Sequence, residues 1–245
     1  MRPALFLTLA FALGLPAALR AECRLALALA VDVSRSVDAA DYVIQTEGLA
    51  DALIDPAVQA AIFGAPGDVA IMVYYWSGVR HQEVVAEWRL IQTPRELAAL
   101  SDQVRHMPRL PVSLPTALGE ALRFGRAQFD IAPPCARQVL DVAGDGRNNE
   151  GIAPRRIYEK TDFGNLVVNG LAVGEHESGL ESYYASDVIR GDGAFVEIAP
   201  AQADYPRSIR RKLLRELSEA VAGRAPGGEW PEGRVFLTSA TAPKR

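Results

Sequence analysis

Thiols and imidazoles are scarce in this chain: its 245 residues include two cysteines and three histidines. His81, His106 and His176 are scattered, and none stands in a zinc motif such as H-E-x-x-H. A zinc or copper centre would therefore lack its usual ligands. No G-x-S-x-G elbow is present, which removes the common serine-hydrolase arrangement. An excess of basic charge is missing too, since 26 Lys and Arg face 30 Asp and Glu. That balance disfavours general binding to nucleic acid or to an anionic membrane. The one long apolar run, Ala4 to Leu19, holds Gly14 and Pro16 and is short for a membrane span.

That run follows Arg2 and leads into small residues, the pattern of a secretory signal cleaved after Ala21. Arg20 and Glu22 spoil a lipoprotein signal at Cys23. The expected organisation is a signal over 1–21, one domain over 22–223 and a mobile tail over 224–245, where Pro, Gly, Ser and Thr accumulate. Cleavage would take the formal charge from −4 to −6, because residues 1–21 hold Arg2 and Arg20 and no acid. The mature chain would be periplasmic or secreted, with no membrane span. In such an oxidising compartment Cys23 and Cys135 are expected to pair.

Within the domain, apolar runs alternate with helical spacing. LALALAVDV (25–33) reads as a buried strand, and 38–62 as a single helix. DVAIMVYYW (68–76) and residues 81–90 read as a strand pair joined at Ser77-Gly78. Thr93-Pro94 opens a helix to about His106, and Thr116–Phe129 is another. RQVLDVAGDG (137–146), 166–173 and 194–198 are further strands, with helices over 180–189 and 205–221. This alternation predicts an α/β fold: a doubly wound, Rossmann-like, mostly parallel six-stranded sheet with one antiparallel edge strand.

In such sheets ligands sit beyond the carboxyl ends of the strands, where strand order reverses. If the first strand and the 137–143 strand flank that point, Asp32 and Asp145 project from neighbouring ends. Ser34 and Ser36 follow Asp32 at alternate positions, and Thr116 opens a helix at the same rim. Two carboxylates and three hydroxyls make an all-oxygen site suited to Mg²⁺ or Mn²⁺.

D-V-S-R-S, then a threonine opening a helix, then G-D-G, resembles the metal-ion-dependent adhesion site of von Willebrand factor A-type domains. The phrases QTEGLADAL, VAGDGRNNEG and KLLRE resemble an exported bacterial branch of that family, catalogued as a domain of unknown function. The resemblance covers roughly 24–221. It implies that Asp32, Ser34, Ser36, Thr116 and Asp145 surround the cation, the acids acting directly or through water. Two positions depart from the family pattern. Leu114-Pro115 precedes Thr116 where Gly-x is common, and Gly144 stands where Thr is common.

Plainer roles compete at several positions. Ser34, Ser36 or Thr116 could serve as helix caps. Asn148 and Asn149 suit a turn, Trp76 a core, and the run Arg207, Arg210, Arg211, Lys212, Arg215 a solvated helix face opposite Ile209, Leu213, Leu217 and Val221. A dehalogenase-type phosphatase would need an acid where Ser34 stands, and no general base accompanies the site. The expectation is therefore a non-enzymatic, exported protein-binding module whose cation recruits an Asp or Glu of a protein partner. A Mg²⁺-dependent phosphoryl hydrolase and a scaffold with a purely structural metal are the alternatives.

Overall fold

A computed structural model describes residues 23–109, 114–174 and 177–222. The expected signal and tail lie outside the described residues. Six strands form one sheet in the order β3-β2-β1-β4-β5-β6. They are β1 (Leu25–Asp32), β2 (Val69–Trp76), β3 (Gln82–Ile91), β4 (Arg137–Gly144), β5 (Val167–Val173) and β6 (Val196–Ala199). All pairings are parallel except β2 with β3, which makes β3 the antiparallel edge. Strand order reverses between β1 and β4, as expected.

The alternation within β1 sorts the core into two layers. Leu25, Leu27, Leu29 and Val31 join one cluster, which also receives side chains from α1 (Ala39–Leu53), α2 (Pro56–Phe63), α3 (Pro94–Arg105) and α7 (Tyr205–Ala222). Ala26, Ala28 and Ala30 face the other, beneath α4 (Leu118–Gln128), α5 (Pro154–Lys160) and α6 (Leu180–Tyr183). Every residue of β1 is buried, which is why the strand reads as a continuous apolar run.

Three elements differ from the sequence expectation. The single helix over 38–62 is two helices. Asp55 accepts the amides of Ala57 and Val58, and Pro56 sits at the first helical position of α2, so the chain restarts there. The 180–189 helix is one α-turn, α6, running into a π-helical turn over Tyr184–Val188. The short helix α5 has no counterpart in the sequence reading.

The basic face of α7 also needs correction. Arg207, Arg210, Arg211 and Arg215 pair at the surface with Asp204, Asp55, Glu197 and Glu219. Lys212 is instead wholly buried, 3.1 Å from Asp141 of β4 and 2.9 Å from Glu216. Its ammonium also lies 4.4 Å from the centroid of the Phe195 ring. Burial works against the Lys212 charge, and the carboxylates of Asp141 and Glu216 outweigh it and hold the lysine protonated. Val221, assigned to the apolar side, is 44% exposed.

At the amino ends of β1 and β4, Cys23 and Cys135 form a disulfide with a Cα–Cα distance of 4.5 Å. Parallel pairing of the two strands brings these residues together, since each precedes its strand by one turn or less.

Candidate metal site

The site begins with Asp32, the last residue of β1 and fully buried. Its Oδ1 accepts the Ser34 amide at 2.7 Å, folding the chain back at once. Ser34 and Ser36 therefore turn to the same side, with their hydroxyls 3.2 Å apart. Ser36 Oγ donates to Asp145 Oδ1 at 2.5 Å, and Thr116 Oγ1 donates to Ser34 Oγ at 3.2 Å. All five residues named from the sequence thus meet at the carboxyl end of the sheet, Thr116 through Ser34 and Asp145 through Ser36.

The competing cap roles do not hold. The α1 cap is Asp38, whose side chain accepts the amides of Ala40 and Asp41. The α4 cap position is Ala117, which supplies no side-chain bond, so Thr116 lies one residue before it.

Other residues fix this geometry, and sequence reasoning understated them. Asn149 Oδ1 accepts the Thr116 amide, and the Asn149 amide donates back to the Thr116 carbonyl, both at 2.9 Å. Asn148 Oδ1 accepts the Gly119 amide of α4 at 2.9 Å. The two asparagines after G-D-G are thus the clasp that holds the Thr116 loop. Gln202, which precedes α7, donates to Asp145 Oδ2 at 3.4 Å and accepts from Gln45 of α1 at 3.2 Å. No sequence signal singles out Gln202.

Burial above all, and then the nearby Asp145 charge, push the Asp32 carboxyl up to about 8. Its Oδ2 is buried and makes no well-formed hydrogen bond among the described residues, although the Asp145 amide lies near enough to favour the ionised form. Two acids held this close with a buried lone oxygen are an expensive arrangement without a positive charge between them. The donors are oxygens only, and among the described residues no group of three or more His, Cys, Asp or Glu converges. Such a set fits a hard divalent cation, because hydroxyls complete what two carboxylates begin.

Beside these oxygens opens a cleft of about 410 Å³, lined by Arg35, Ser36, Pro115, Thr116 and Asn149. A larger cavity of about 540 Å³ lies at the opposite end of the sheet, around Arg24, Cys135 and Arg137. It touches none of the five residues.

The strand order, the antiparallel edge and the D-x-S-x-S loop define a von Willebrand factor A-type fold. Solved structures agree. A von Willebrand factor type A protein from Catenulispora acidiphila is 18% identical, with a TM-score of 0.56 over 80% of this chain and 43% of that one. Proximal thread matrix protein 1 from the mussel byssus, with a zinc-occupied MIDAS motif, gives 15%, 0.60, 81% and 49%. The conserved hypothetical protein BatB from Bacteroides thetaiotaomicron gives 17%, 0.56, 81% and 99%. The chain therefore spans about half the length of the first two and nearly all of the third. No curated protein matches it. The chain belongs to the family described as protein of unknown function (DUF1194), whose model matches residues 22–221.

Proposed function

We propose that this protein is an exported, non-enzymatic binding module that takes up an acidic group of a protein partner at a divalent-cation site. Asp32, Ser34, Ser36, Thr116 and Asp145 would hold Mg²⁺ or Mn²⁺, which when bound supplies an open coordination position for a partner's Asp or Glu. The observation that carries this reading is the convergence of five oxygen side chains from three loops beside an open cleft. Arg35 on the cleft wall adds positive charge where a partner carboxylate would approach. The cleft residues include no side chain suited to general base work, which favours binding over turnover.

The zinc-occupied site of the mussel protein supports the view that this fold accommodates a divalent ion. Export is supported by the disulfide, which an oxidising compartment maintains. No helix among the described residues is long and apolar enough to cross a membrane. A periplasmic or secreted location follows from this reading.

Calorimetric titration of chelator-stripped protein with Mn²⁺, with and without an Asp-containing peptide, tests the proposal. Wild type should bind Mn²⁺ weakly, and peptide and ion should tighten each other by the same factor. Asp32→Ala should bind neither. Equal Mn²⁺ binding by Asp32→Ala would overturn the site. Hydrolysis of phosphate esters lost in Asp32→Ala would replace binding with catalysis.

A further inference from the structure

Gly144 precedes Asp145 and lies one step beyond the Val31–Ala143 pair, beside Asp32. On the other side of Asp32 stands Trp76. These three residues continue the face formed by Ala26, Ala28 and Ala30, so their outward sides share one layer. Tyr184, the first residue of the π-helical turn, lies across this layer and is fully buried.

Two glycines make room for it. A β-carbon at Gly170 of β5 would fall 2.6 Å from Tyr184 Cδ1. A β-carbon at Gly144 would fall 2.6 Å from Tyr184 Oη, 2.9 Å from Asp32 Oδ2 and 3.2 Å from Trp76 Cζ2. The tyrosine ring thus occupies a groove of missing side chains, with its hydroxyl at the Asp32 end. Asp32 Oδ2, Tyr184 Oη and Trp76 Nε1 are all buried and all lack a hydrogen-bond partner among the described residues. One is an acceptor and two carry donor protons, so the set is complementary.

We infer that Tyr184 is a positioning residue for the metal site: its hydroxyl, which flanks Gly144 together with Asp32 Oδ2 and makes no hydrogen bond among the described residues, engages Oδ2 once a cation is bound and holds the carboxylate at the angle the cation requires. This rests on the divalent-cation reading above. Ser34 already fixes Oδ1, and in the loaded site Tyr184 supplies the restraint on Oδ2. Partners of a ligating carboxylate set its orientation in just this way. The inference also accounts for glycine at 144, because any β-carbon there would displace the hydroxyl.

The test compares mature wild type with Tyr184→Phe by Mn²⁺ calorimetry and by thermal unfolding in EDTA. The expected result is a Kd roughly tenfold higher with the metal-free melting temperature preserved. A core role alone would not move affinity at constant stability. If wild type binds Mn²⁺ and Tyr184→Phe binds it equally well, the positioning role is wrong and the metal site stands. If wild type itself binds no Mn²⁺, both fall. Should the phenylalanine variant fail to fold, NMR of wild type decides. Mg²⁺ should shift the Tyr184 hydroxyl proton downfield, and an unmoved resonance would overturn the inference.

Discussion

Ser36 Oγ donates to Asp145 Oδ1 at 2.5 Å, joining loops 109 residues apart in the chain. This bond orients the acid at the end of β4 from the loop after β1. Ser36→Ala should therefore raise the Mn²⁺ dissociation constant by about tenfold, since it removes a candidate ligand and loosens another. Asp145→Ala should weaken binding further, and Thr116→Ala should resemble Ser34→Ala, to which it is hydrogen-bonded. Calorimetry on stripped protein measures all four.

The pH dependence of the metal-free protein follows from Asp32. Its carboxyl sits near 8 in the folded state because of burial and then Asp145, against about 3.9 unfolded. The folded state thus keeps a proton that the unfolded state loses, and the associated stability is complete below the unfolded value. It disappears as pH rises toward 8, on the order of a few kcal/mol. In EDTA, Asp32→Asn should match wild type near pH 4 and exceed it at pH 9. Mn²⁺ should reverse the wild-type trend while releasing a proton, which titrations in buffers of different ionisation enthalpy would detect.

Removing the disulfide should destabilise the fold without touching the site. The bond spans a sequence separation of 112 residues, worth roughly 4–5 kcal/mol in the chain-entropy model. Cys23→Ser with Cys135→Ser should unfold at lower denaturant and keep the wild-type Mn²⁺ affinity. Intact-mass analysis of untreated mature protein should show no free thiol.

Lys212→Met should cost about 3–5 kcal/mol, because it leaves Asp141 and Glu216 buried beside no cation. Replacing both acids by leucine as well should restore much of that loss. Chemical denaturation of the single and triple variants separates the two contributions.

The fold is legible because its signals are strong and local. Leu–Ala alternation in β1 marks a strand buried on both faces, and Thr93-Pro94 marks a helix start that the structure completes with a Thr93–Glu96 capping box. Asp32, Ser34 and Ser36 are legible because period-2 spacing after a strand survives the turn. The break at Asp55-Pro56 was equally visible, yet continuous apolar spacing on either side masked it. Lys212 could not be read as buried, since its partner Asp141 lies in a strand 71 residues earlier. Gln202 and Tyr184 act across elements that only the folded sheet brings together, so no spacing rule reaches them.

The placement of the disulfide has a mechanical consequence. It clamps the amino ends of β1 and β4, the two strands whose carboxyl ends carry Asp32 and Asp145. A pull applied at the carboxyl end of one strand and resisted at the amino end of the other would load both along their length. Their parallel ladder resists in shear, with its hydrogen bonds strained together rather than one at a time. At the far end the tension meets a covalent link, so the strands cannot slide past one another while it is intact. The staple thus fixes the relative register of the two site-bearing strands at the end of the sheet remote from the site.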